Sequence, residues 1–190
     1  VIRSGLTIDE LFETIKRLEV INIRLDADDD PQLIFESLNS TGLDLSEADK
    51  IRNYLLMSLS PTEQDDLYNR FWNPIEVFTK YDPSSFVRDY LTMKQGKIGR
   101  IDKIYFIFKE YAEGNNMARA DLLEDMHHYA KIYGQIDNAK AGTDKLNQKL
   151  SQLRTLDSTI AYPFFMAFFD YASKNDLPES EICRVIDVIE

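Results

Sequence analysis

The sequence predicts a mainly α protein, an irregular multi-helix bundle with one short strand near its N-terminus. Three observations carry this. Apolar residues recur at three- and four-residue spacing along most of the chain. Clean alternation at period two occurs once, from Val20 to Leu25. Cap and proline signals open one segment after another, with short connections between them. At 190 residues and 44% hydrophobic content, the chain is long enough to bury a core in one domain, or in a small lobe plus one domain.

The first helix opens at Thr7, with Glu10 three residues on as a capping box, and Ile8, Leu11, Phe12, Ile15 and Leu18 make its stripe. In the strand that follows, Ile21, Ile23 and Leu25 face one way, Asn22 and Arg24 the other. A lone strand is not stable, so its partners are expected in preceding chain, and an open edge also predicts a homodimer. The start at Val1, without Met and in mid-pattern, reads as an excised piece of a longer protein. Asp26, Asp28, Asp29 and Asp30 invite a calcium-loop reading. Pro31 where such a loop needs Gly, and Ser37 where it needs a bidentate Glu, exclude it.

The most informative stretch runs from Asp30 to Asn53, two short helices joined by a polar hinge. Asp30 caps the first, Pro31 fills its first position, and Ile34, Phe35 and Leu38 form its stripe. Asn39-Ser40-Thr41-Gly42 ends it, with Gly42 or Asn39 free to take the left-handed conformation, and Leu43 and Leu45 turn back towards a core. Ser46 restarts a helix with Asp49 three residues on, and Ile51, Leu55, Leu56 and Leu59 give it a buried face.

Further helices follow in order. Ser60-Pro61-Thr62-Glu63 opens one carrying Leu67, Phe71, Trp72, Ile75 and Phe78. Asp82-Pro83 opens another with Phe86, Val87, Tyr90 and Leu91 inward. Gly96 and Gly99 mark a loop. An aromatic-rich helix spans Ile101 to Tyr111 and closes at Gly114-Asn115-Asn116, and the next runs from Ala118 to Tyr133, stopping at Gly134. After a loop at 137–142, Leu146, Leu150, Leu153 and Leu156 carry a helix. Pro163 kinks the following one or starts its second half, and Pro178 opens the last.

A net charge of −11 argues against nonspecific nucleic-acid binding, which needs clustered Lys and Arg. The single cysteine, Cys183, cannot form an intrachain disulfide, which fits a reducing, cytoplasmic setting, and no apolar run reaches the length of a membrane span. Adjacent His127 and His128 diverge on a helix and read as structural or surface residues, not zinc ligands. Lys94, Lys97, Arg100 and Lys103 form a basic ladder best read as a solvated face, and the aromatic residues at 105–111 and 162–171 read as core.

Glu36, Asn39 and Ser40 share one helix face by spacing, as do Asp49, Arg52 and Asn53. Gathered at the N-terminus of the helix that Ser46 starts, such groups suit a phosphate and its metal ion. An ordinary capped corner uses the same letters.

Beyond spacing, F-E-S-L-N-S-T-G-L-D-L-S-E-A-D-K-I-R-N-Y-L-L resembles the second conserved motif of the bacterial family whose members open with D-G-Q-Q-R, the S-half of GmrSD-type modification-dependent restriction systems. L-Y-N-R-F-W-N-P-I-E at 67–76, F-V-R-D-Y-L-T-M-K at 86–94, Y-F-I-F-K at 105–109 and the closing P-E-S-E-I-C-R-V-I-D-V-I-E resemble the family's helical region, so the likeness covers nearly the whole chain. Neither D-G-Q-Q-R nor a His-Asn-His nuclease motif occurs. The resemblance implies that residues 1–59 are the remnant of a ParB-like α+β nucleotide domain, truncated to its last strand and hinge, and that 60–190 form a helical domain. It implies nucleotide or metal binding by Glu36, Asn39, Ser40, Gly42, Ser46, Asp49, Arg52 and Asn53, with a nucleoside triphosphate and Mg in the intact protein. No catalytic residue is expected in this chain, DNA would be met only by the intact protein, and the nuclease half or subunit is the expected partner. The alternative is a helical protein–protein interaction module without a ligand site of its own.

Overall fold

The structure is a computed structural model and describes residues 7–19, 45–57, 59–155 and 159–189, with single positions 22, 24 and 34. It is mainly helical. In chain order the helices are α1 (Ile8–Ile15), α2 (Glu47–Leu56), α3 (Pro61–Leu67), α4 (Asn73–Phe78), α5 (Pro83–Gln95), α6 (Ile104–Asn115), α7 (Arg119–Asp137), α8 (Asp144–Thr155), α9 (Tyr162–Lys174) and α10 (Glu179–Ile189). A π turn, Tyr68–Trp72, joins α3 to α4, and 3₁₀ turns at Ile101–Lys103 and Thr159–Ala161 lead into α6 and α9.

The starts follow the side chains foreseen for them. Thr7 and Ser60 each accept the N3 amide while Glu10 and Glu63 reach back to the cap amide, so α1 and α3 carry full capping boxes. Asp82 caps α5 ahead of Pro83, and Pro163 lies in the first turn of α9, where its missing N–H breaks no bond. Gly96 and Asn116 close α5 and α6 in the left-handed conformation, at φ 68° and 50°.

The core forms around α7, which packs against α4, α5 and α9, with α2 and α6 closing one side. Ala48, Ile51 and Leu55 of α2 are buried in the same cluster as Trp72, Phe86, Phe108, Met126 and Phe165, so the hinge's second helix is part of the helical body. Aromatic edges stitch the layers. Tyr133 on α7 meets Phe86 on α5 at 5.5 Å and Tyr162 on α9 at 5.2 Å, both edge-to-face. Tyr54 on α2 meets Tyr105 and Phe108 on α6 in the same way. α8 pairs with α10 and extends the same core, burying Leu146, Leu150 and Leu153 beside Cys183 and Ile186.

Several expectations need revision. No strand occurs among the described residues. Most of Val20–Leu25 lies outside them, and Asn22 and Arg24 carry no ladder, as expected of a segment with no described strand to bond with. The strand and its ParB-like origin are therefore without support in the fold. Leu156 also lies outside the described residues. Gly134 does not stop its helix. It sits buried inside α7, because a Cβ there would come within 2.8 Å of the Phe78 carbonyl oxygen, and only glycine lets α4 approach so closely. The single helix expected from Pro61 to Phe78 is interrupted. Pro74 lacks the N–H that would continue the ladder, and the turn widens so that the Asn73 amide bonds the Tyr68 carbonyl. The stripe on α1 is formed but uncovered, with Ile8 79% and Phe12 57% exposed. Among the described residues, no helix is long and apolar enough to cross a membrane.

Candidate functional site

Of the eight residues expected at the hinge, Glu36, Asn39, Ser40 and Gly42 lie outside the described residues; Ser46, Asp49, Arg52 and Asn53 lie within them. Ser46 caps α2 by accepting the Asp49 amide at 3.1 Å, and its hydroxyl donates to Asp49 Oδ2 at 2.7 Å. Asp49 turns its other oxygen to Arg52, 3.0 Å away and one turn along α2. Three of the four thus form one continuous contact. Asn53 follows, half-buried.

Arg52 also reaches off its own helix. Its guanidinium donates to Glu76 Oε1 on α4 at 3.3 Å. Glu76 is an assembly point: the buried Trp72 indole N–H donates to the same oxygen at 2.8 Å, and the Tyr68 hydroxyl donates to Oε2 at 3.3 Å. Burial, then the charge of Glu76, pushes the Tyr68 phenol upward, so it remains a neutral donor. Sequence reasoning placed Trp72 in the core and gave Glu76 no role. The Tyr68/Trp72/Glu76 spacing of four is the signal that could have found it, since such residues share a helix face.

The same helix is tied down at its start. Glu47 bonds Lys50 at 2.8 Å and accepts the Tyr105 amide, at the head of α6, at 2.8 Å. The Ala48 amide donates to Ser84 Oγ on α5 at 3.2 Å. With the Asp49 amide held by Ser46, the Ala48 and Asp49 amides are both taken, and both cations of α2, Lys50 and Arg52, hold carboxylates. For a triphosphate, this half of the hinge has no spare cation among the described residues. Its fit to a nucleotide therefore depends on groups from 36–42 and from outside the chain. No group of three His, Cys, Asp or Glu among the described residues is placed to hold a metal ion.

The other candidates resolve into structure. Lys94 pairs with Asp125 at 2.8 Å over the Tyr129 ring, and Arg100 with Asp102, so the basic ladder is partly neutralised. His127 packs its ring against Phe71 and Phe78, and burial holds it below the usual imidazole range. His128 bonds Asp170 at 2.8 Å.

The fold and site together define a helical body whose hinge helix is bonded to three other elements. No family model matches the chain, nor does any curated protein or solved structure.

Proposed function

We propose that this chain is the helical part of a GmrSD-type restriction protein used in bacterial defence against phage DNA, and that it links nucleotide binding at the hinge to the nuclease half. One observation carries the reading. The stretches that resemble the family's motifs, far apart in sequence, converge on α2: Arg52 meets Glu76 of the 67–76 stretch, and Glu47 meets the amide of Tyr105 at the head of the 105–109 stretch. The helix that follows the hinge is thus bonded to the helical body at two points, as a relay between them would need. In the intact protein the nucleotide and Mg would be held by Glu36 and Asn39 with the missing D-G-Q-Q-R half, in the cytoplasm. Arg52 and Asp49 would hold the hinge in position. A second reading, an interaction module without its own ligand, draws on the uncovered α1 stripe, which an apolar partner would cover.

Calorimetry on the intact protein with nucleotide and Mg tests this, comparing Glu36→Ala and Asn39→Ala with Glu76→Gln. The reading expects the first two to lose nucleotide binding at unchanged Tm, and Glu76→Gln to keep binding but lose nucleotide-dependent DNA cleavage. Nucleotide binding untouched by all three variants leaves the hinge as a structural corner and favours the interaction module.

A further inference from the structure

We propose that the cleft between α7, α9 and α10 binds a small zwitterion with an apolar body, of amino-acid or dipeptide size. Lys131 and His128 would meet its carboxylate and Asp176 its ammonium group. The cleft encloses about 520 Å³, within the range of small-molecule sites. Its α7 wall is a single stripe, His128, Lys131, Ile132 and Gln135, at i, i+3, i+4 and i+7. On an ordinary packed face such a stripe would be apolar. Here three of the four positions are polar, and the cleft they line has an apolar floor of Phe169, Leu177 and Ile182.

The imidazole is held in place. His128 Nε2 bonds Asp170 Oδ1 at 2.8 Å, and Asp170, only 8% exposed, is further fixed by the Tyr129 hydroxyl at 3.1 Å and Lys174 at 2.8 Å. Those donors hold its carboxyl below the usual range against the opposing effect of burial, so the carboxylate stays charged. With Nε2 engaged, the Nδ1 edge of His128 is left for a ligand. Glu179, at the far side, is already taken by the Thr143 amide and hydroxyl. Among the described residues, Lys131 and Asp176 line the cleft without an ion pair, one of each sign. A lining that combines apolar side chains with one unpaired charge of each sign matches a ligand with the same polarity, and a purely anionic or cationic molecule would leave one of the charges unmet.

The test is an NMR titration of the full chain with three probes of one shape: phenylalanine, 3-phenylpropionate, which lacks the ammonium, and phenethylamine, which lacks the carboxylate. Saturable shifts at Lys131, Gln135 and Asp176 are expected with phenylalanine, and binding up to about fivefold weaker with each truncated probe, the value of one exposed ion pair. Lys131→Gln should weaken phenylalanine and 3-phenylpropionate but leave phenethylamine unchanged, and Asp176→Asn should weaken phenylalanine and phenethylamine but leave 3-phenylpropionate unchanged. Both side chains are exposed, so both variants should keep the wild-type Tm. No saturable binding of phenylalanine overturns the proposal. So does equal binding of all three probes, or variants that weaken all three alike.

Discussion

Arg52 and Glu76 stand 24 residues apart in sequence and 3.3 Å apart in space, and their contact joins the hinge helix to α4. Glu76 serves Arg52, Trp72 and Tyr68 at once, whereas Arg52 retains Asp49 if Glu76 is lost. The two partners are therefore unequal. Glu76→Ala leaves a buried indole N–H without an acceptor and should cost about 1–2 kcal/mol. Arg52→Ala removes a part-exposed pair and should cost below about 1 kcal/mol. Urea unfolding of both variants and the double variant should give a coupling energy well under the Glu76→Ala cost. A coupling equal to that cost would mean the arginine, not the indole, is what Glu76 holds.

Asp89 on α5 is 3% exposed, and its Oδ2 has no hydrogen-bond partner. Burial pushes its carboxyl up to about 6, against the pull of Arg88, whose guanidinium bonds Oδ1 at 2.9 Å. The folded value lies above the unfolded one of 3.8. Its protonated form therefore favours folding, fully so below about pH 4, and that contribution is lost as pH rises through about 6. Asp89→Asn should flatten the stability profile between those limits by on the order of 2 kcal/mol. Chemical unfolding at pH 4, 5, 6 and 7 measures it. An unchanged slope would show that Asp89 is ionised throughout.

Gly134→Ala and Gly114→Ala should move stability in opposite directions although both residues lie within helices. At Gly134 the new methyl meets the Phe78 carbonyl at 2.8 Å, a backbone atom that cannot turn away, so a cost of about 1–3 kcal/mol is expected. At Gly114 no atom lies within 4 Å, and alanine should stabilise by about 0.5–1 kcal/mol. Thermal unfolding decides. A stabilising Gly134→Ala would mean that α4 and α7 are further apart than described.

Tyr90 donates to Asp125 at 2.6 Å from inside the core, and Asp125 also holds Lys94. Burial drives the Tyr90 phenol far above its ordinary range, so it stays a neutral donor at any ordinary pH. Tyr90→Phe keeps the ring packing but strips one donor from a charged acceptor, and should cost about 1.5–3 kcal/mol by urea unfolding. A cost near zero would mean that water replaces the hydroxyl at Asp125.

Local signals carried the fold class. Thr7 with Glu10, Ser60 with Glu63, Asp82 with Pro83 and the placing of Pro163 each concern groups within a turn of one another, so their meaning is complete in the sequence. The helix ends were less legible. Gly134 carries the letter of a stop and acts as a packing contact, because what decides its role is Phe78, which is distant in sequence. The chemistry divides in the same way. Asp49 and Arg52 were readable as neighbours on one face, but Glu76 as the acceptor that Arg52 shares with Trp72 and Tyr68, and Asp170 as the group that fixes His128, were not.

The sequence by itself determined which of the described segments are helical, where most of them begin, and that each carries one apolar face, since backbone hydrogen bonding and side-chain period act within a few residues. Only the tertiary structure decided which charges neutralise one another, which glycine permits close approach and which stripe stays uncovered. Those depend on burial and on distances between residues that the chain brings together only by packing.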